Sequence, residues 1–248
     1  QDARSAALLE KFGDLESWKG NHKEASAYLE QALHLYEEEG NDKAIADVLR
    51  KQAAAAFRDS NLTKTRTAAS AALGKCKSLQ DNIGVADALY WMGGVGYAPR
   101  HREENWMGTP GIYVEGEALL WESVRVARSC DEGWRLAQPL RRLGKHFHQQ
   151  GRFAEAILAL EEACSLDQKF PKQSFNLNLA RATSLVASSK SMLGHLEEAL
   201  AWYDVAIDEW RKGGSQCDGE ISNCLAEKNA ILEVMNGPEE GVSHSEPF

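Results

Sequence analysis

Residues 137–163 read AQPLRRLGKHFHQQGRFAEAILALEEA. Leu140, Leu143, Gly144 and Phe147 stand at positions i, i+3, i+4 and i+7, which puts them on one side of an α-helix. Ala156, Leu160 and Ala163 make a second such row beyond Gly151. Glycine enters the left-handed conformation without steric cost, so Gly151 ends the first helix, and the Glu155-Ala156 pair opens the next. Gly144 marks where the two helices meet, because only a residue with little or no side chain admits so close an approach. The stretch is a helix hairpin.

Working outward, the same register recurs along the chain. Ala6, Ala46 and Ala86 stand 40 residues apart, and Ala137 and Ala180 continue the series. Three residues after them come Leu9, Leu49, Leu89, Leu140 and Thr183; seven residues after them come Gly13, Ala53, Gly93, Gly144 and Ala187. The second-helix signature returns in Gly20-Asn21-His22-Lys23-Glu24-Ala25 and Gly194-His195-Leu196-Glu197-Glu198-Ala199, each with a further alanine seven residues on, Ala32 and Ala206. In the second and third repeats Thr65 and Gly116 replace the expected alanine. Five hairpins follow, because a periodic array of amphipathic helix pairs buries its apolar faces only by stacking.

The spacing predicts first helices near 4–19, 43–59, 84–98, 133–150 and 174–193, and second helices near 22–39, 62–79, 114–130, 152–168 and 195–212. The repeats are expected at about 3–40, 43–80, 84–131, 133–170 and 174–213, in a single domain over 1–236. A helix over 219–236 would cap the stack with Ile221, Leu225, Ile231 and Leu232, leaving 237–248 as a flexible tail. The step from Ala86 to Ala137 exceeds the period by eleven residues, and the excess falls in Pro99 to Gly111, whose two prolines and two glycines predict a loop. Trp106 and Met107 make this loop a candidate contact site.

These residues resemble the tetratricopeptide-repeat family from about Ala3 to Lys212, and the longer period resembles the repeats of kinesin light chains and of NLR-type ATPase receptors. The resemblance implies an all-α fold: a right-handed TPR-like α-solenoid of five helix-turn-helix repeats plus a C-terminal capping helix. It also implies a scaffold or adaptor that binds a protein or peptide in its concave groove, or the C-terminal sensor array of a larger NLR-type (STAND) switch protein.

Composition narrows the partners. A formal net charge of −9 opposes phosphate backbones and anionic lipid surfaces, so neither nucleic acid nor membrane is expected. Five cysteines without CxxC spacing indicate a reducing, cytoplasmic setting, where Cys76, Cys130 and Cys164 act as small hydrophobes on helices. No nucleotide, metalloprotease or hydrolase motif occurs, and His146 and His148, two residues apart on a helix, point away from each other. No catalytic residue, metal or cofactor is expected. His22 and His195 read as solvated turn residues.

In a fold of this type the first helices line the groove. The register places Arg50, Lys51, Tyr90, Trp91, Arg141, Arg142, Lys145, His148 and Arg181 there as candidate peptide-binding residues. Guanidinium and ammonium groups beside two aromatic rings suit an acidic segment or C-terminal carboxylate with an apolar anchor. The same cations could instead pair with Glu and Asp of adjacent repeats. An uncovered end of the stack would also allow self-association.

Overall fold

A computed structural model describes residues 2–96, 110–130, 133–169 and 175–237. Among them the order is α1 (Asp2–Lys19), α2 (His22–Glu38), α3 (Asp42–Arg58), α4 (Leu62–Ser78), α5 (Asn82–Val95), α6 (Pro110–Arg128), α7 (Gly133–Gln149), α8 (Phe153–Lys169), α9 (Leu177–Met192), α10 (Leu196–Arg211) and α11 (Asp218–Asn236), with one 3₁₀ turn at Ser215–Cys217. The fold class is an all-α helical-repeat solenoid, and no strand occurs among the described residues.

One device ends most of these helices. Gly20, Gly40, Ser60, Gln80, Gly151 and Gly194 all have φ between 55° and 89°, and the amide of the residue after each donates back to the carbonyl five positions earlier, as Asn41 does to Tyr36 and Arg152 to Phe147. That bond closes the last helical turn and reverses the chain. The next helix then starts on a side-chain cap where the sequence supplies one. Asn41, Asn61 and Asp81 accept from the amides of Ala44, Lys64 and Gly84.

The chain divides into two compact units, residues 1–143 and 144–248. In the first, α1 pairs with α2, α3 with α4 and α5 with α6, while α2 also packs on α3 and α4 on α5. First helices touch one another, α1 against α3 and α3 against α5. A core of Ala6, Ala25, Leu29, Ala32, Tyr36, Ile45, Val48, Leu49, Ala55 and Ala72 runs through these contacts. In the second unit α8 packs on α9, α9 on α10 and α10 on α11, around Ala180, Ala187, Ala199, Tyr203, Ala206, Ile207 and Trp210.

The small register residues are closed against the second helices. A Cβ on Gly13 would stand 2.7 Å from Leu29 Cγ, one on Gly93 2.7 Å from Leu120 Cγ, and one on Gly144 would overlap Leu160. Ala53 and Ala187 are fully buried, in the clusters that hold Ala69 and Tyr203. Each partner lies sixteen residues beyond its small residue, except Leu120, which lies twenty-seven beyond Gly93 and so carries the insertion of eleven. Thr65 and Thr183 fit this alanine-rich core because each hydroxyl donates to its own helix, Thr65 to Asn61 O at 2.8 Å and Thr183 to Ala180 O at 2.8 Å.

Two expectations about these elements need correction, and one lies beyond the described residues. Pro110 and Gly111, read as loop, begin α6: a proline in the first helical turn lacks an N–H that would have no partner there. Trp106 and Met107 lie outside the described residues. In α11, Cys224 and Ile231 are buried with Ile221 partly so, whereas Leu225 and Leu232 remain 40% and 37% exposed, since only one face of a terminal helix meets α10.

Ser60 and Gln80 hold the left-handed conformation that glycine holds at the equivalent turns. Ser60→Gly and Gln80→Gly should each stabilise the protein by about 1 kcal/mol by relieving the Cβ clash, read as a raised thermal midpoint with unchanged helicity.

Candidate peptide-binding face

The first helices of the first unit carry a ladder of charge. Lys51 on α3 reaches back to α1, donating to Glu10 at 2.8 Å and Asp14 at 2.5 Å, and Tyr36 donates to the same Glu10 at 2.9 Å. Arg50 donates to Asp47 on its own helix and, at 2.8 Å, to Asp87 on α5. Arg135 on α7 donates to Asp87 from the other side at 3.0 Å. One carboxylate therefore joins three first helices. Burial pushes the Asp87 pKa up, and although Arg135 and Arg50 oppose this, it stays above the ordinary aspartate value. Burial also disfavours the charges of Arg50 and Lys51, but their carboxylate partners outweigh it and hold both pKa values above ordinary.

Beside this ladder lies a group of different character. Arg142 rests 4.2 Å from the Tyr90 ring centroid, 4.4 Å from that of Phe57 and 5.8 Å from that of Trp91. Its Nη2 donates to the Tyr90 hydroxyl at 2.7 Å. Tyr90 and Trp91 stand edge to face at 4.8 Å, and Trp91 and Phe57 lie 5.6 Å apart. A Cβ on Gly94 would overlap the guanidinium, so the bare backbone of α5 is what lets Arg142 approach it. Stacked guanidinium groups gain cation–π energy while keeping in-plane N–H donors. No carboxylate pairs with Arg142 among the described residues.

Of the nine candidates, Arg50 and Lys51 are neutralised by neighbouring helices, Tyr90, Trp91 and Arg142 form one cluster, and Arg141 is half-buried. In the second unit, Lys145 and Arg181 are exposed and make no hydrogen bond or ion pair among the described residues. His148 Nδ1 meets Ser189 Oγ at 2.8 Å, its ring edge rests on Phe153 at 5.5 Å, and burial lowers its pKa. Lys190, absent from the candidates, is buried and bridges Glu161 at 3.0 Å and Glu198 at 2.6 Å, tying α8, α9 and α10.

Phe57, Arg135 and Asp87 complete the geometry and were not expected as site residues. Arg135 was legible, standing seven residues before Arg142 and so on the same helical face. Phe57 was not, since it joins the cluster only through packing of α3 on α5. No disulfide joins the five cysteines, all of them described residues, and burial raises the Cys76 thiol to about 11. Cys130 lies beyond the end of α6, not on the helix. No three His, Cys, Asp or Glu side chains are placed to hold a metal ion among the described residues, and no helix there is long and apolar enough to cross a membrane.

Residues 142–170 match the tetratricopeptide repeat model. That segment is a tetratricopeptide repeat, and the fold of the chain is of tetratricopeptide-repeat type. The matched segment is the end of α7 and all of α8, the repeat whose residues follow the pattern most fully. No curated protein sequence matches the chain. Among solved structures, the apo quorum sensor NprR from B. thuringiensis is similar with a TM-score of 0.73 at 17% identity, over 94% of this chain and 64% of that one. NprR in complex with its cognate peptide NprX is similar with a TM-score of 0.62 at 16% identity, over 98% and 64%. TTC0263, a thermophilic TPR protein of Thermus thermophilus, is similar with a TM-score of 0.60 at 16% identity, over 89% and 99%. These likenesses define the tetratricopeptide-repeat fold; the chain spans less than two thirds of NprR.

Asp87→Ala would leave the half-buried Arg50 and Arg135 sharing no carboxylate. It should cost about 2 kcal/mol, measured by chemical denaturation. Asp14→Ala, removing an exposed partner of Lys51, should cost less than about 0.5 kcal/mol.

Proposed function

We propose that this chain is a non-enzymatic protein-interaction module that holds a peptide segment on the face of its first helices, reading a carboxylate of the peptide with Arg142. One observation carries the reading: the Arg142 guanidinium lies over the Tyr90 and Phe57 rings, partly accessible, with N–H donors beyond the one given to the Tyr90 hydroxyl and no carboxylate partner among the described residues. Arg50, Lys51 and Arg135 already have acid partners and act as structural members of the ladder. A planar guanidinium held over aromatic rings is suited to bidentate capture of a carboxylate, and Tyr90 and Trp91 supply the apolar contact beside it. The similarity of the fold to NprR, solved with its cognate peptide, supports peptide binding, and its similarity to a longer sensor supports an alternative role as the regulatory array of a larger switch protein. A cytoplasmic adaptor or scaffold role accords with both.

Selection from a peptide library with free C-termini tests this. Enrichment for Asp, Glu or a C-terminal carboxylate next to an apolar residue is expected. Arg142→Lys keeps the charge but loses the planar fork, and should weaken the selected peptide at least tenfold with helicity unchanged. Equal binding by Arg142→Lys and Tyr90→Ala would refute the assignment.

A second reading, contact through the first helix, has its own support. Leu8, Phe12 and Leu15 on α1 are 53%, 42% and 44% exposed. Their register equivalents Val48, Gln52 and Ala55 on α3 are buried at 0%, 5% and 1%, with Val48 and Ala55 in the core shared with α2. The α1 row has the residues of an internal face. If a second copy covers it, sedimentation should show concentration-dependent association that Phe12→Asp abolishes; a monomer at high concentration would exclude self-association.

A further inference from the structure

Where α2 and α4 begin, the first unit contains a cleft of about 130 Å³ lined by His22, Lys23, Ser26, Ala56, Asp59, Asn61 and Lys64. It is separate from the Arg142 cluster. His22 and Lys23 open α2, and Leu62 and Lys64 lie in the first turn of α4, so two helix N-termini meet at one cleft. Asn21 forms no side-chain cap on α2, and the amides of its first turn are left without one. Ser26 is 9% exposed and its Oγ has no hydrogen-bond partner; Nδ1 of His22 is likewise buried and unpartnered. His22, expected as a solvated turn residue, is half-buried at the first position of α2, with this one ring nitrogen enclosed. Buried polar atoms of this kind are satisfied by something in nearly all native proteins.

The repeats themselves show that the cleft is a departure from the pattern. Two residues beyond the left-handed turn, where the first repeat has His22, other repeats have Leu62, Phe153 and Leu196. Four residues further, where it has Ser26, the fourth and fifth have Ile157 and Leu200. An apolar pair that fills this corner in those repeats is thus a histidine and a serine here, with space beside them.

We infer that the cleft between the first turns of α2 and α4 binds a small tetrahedral oxyanion of phosphate size. Its lining is rich in donors: the ammonium groups of Lys23 and Lys64, the Ser26 hydroxyl, the His22 ring, and the side-chain NH₂ of Asn61, whose oxygen already caps α4. Lys64 also donates to Glu30 on α2, which sets its reach. Asp59, at the end of α3, is the one carboxylate in the lining and sets a preference for an anion that brings a proton to share with it. Uncapped helix amides and the positive ends of two helices favour the same charge.

The test is a titration of the full chain with inorganic phosphate at constant ionic strength made up with chloride, followed by backbone amide shifts and by thermal midpoint. Saturable shifts confined to residues 22–26 and 56–64, with a raised midpoint, are expected. His22→Leu/Ser26→Leu, which installs the pair of the fifth repeat, should remove the phosphate-dependent rise while leaving the phosphate-free midpoint the same or higher. Ser26→Ala, a change of one atom, should weaken phosphate at least threefold. Shifts of equal size with acetate, no saturation, or equal phosphate binding by both variants would overturn the assignment.

Discussion

The close approach of paired helices at a residue with almost no side chain is the constraint on which the rest of the structure depends. At Gly13, Gly93 and Gly144 a single added carbon would collide with the leucine of the second helix. Packing there is as dense as a protein interior allows, and it fixes the depth and rotation of each hairpin. The buried alanines of the second helices, Ala25, Ala32, Ala156, Ala163, Ala199 and Ala206, continue the same tight seam. With the hairpins so determined, the faces left over are the ones that stack on neighbours and the ones that meet partners.

Charge is arranged around this seam rather than within it. The first helices of the first unit are stitched by Lys51 with Glu10 and Asp14, and by Asp87 between Arg50 and Arg135. Such pairs contribute modestly to stability one by one, but they fix which side chains on that face remain available. Arg142 is distinct because its neighbours are rings and bare backbone rather than carboxylates. The aromatic cluster holds the guanidinium in place and takes one of its N–H donors, for the Tyr90 hydroxyl. In the second unit Lys190 is engaged by Glu161 and Glu198, while Lys145 and Arg181 stay exposed.

The first repeat differs from the others at both of its outer features. Its first helix shows an apolar row whose equivalents on α3 are buried, and its second helix begins on a polar pair where those of the fourth and fifth repeats begin on an apolar one. A repeat array tolerates such differences because each unit contacts only its neighbours, so one repeat can specialise without disturbing the rest.

The fold was legible because it is a matter of local spacing. Ala6 to Ala187 set the helical register, Gly20, Gly40, Gly151 and Gly194 mark turns that only a left-handed residue can make cheaply, and the excess between Ala86 and Ala137 locates the insertion. Ser60 and Gln80 show the limit of that signal, since they make the same turn without the residue that announces it. The candidate site was legible only as a list of cations and rings on one register. Whether Arg50 and Arg142, identical in type and nearly so in register, are paired or available depends on what the next helix places opposite them: Asp87 for the first, Tyr90 and Gly94 for the second. Periodicity determines which way a side chain points from its own helix, but the partner it meets is set by the offset between helices, which only the tertiary packing decides.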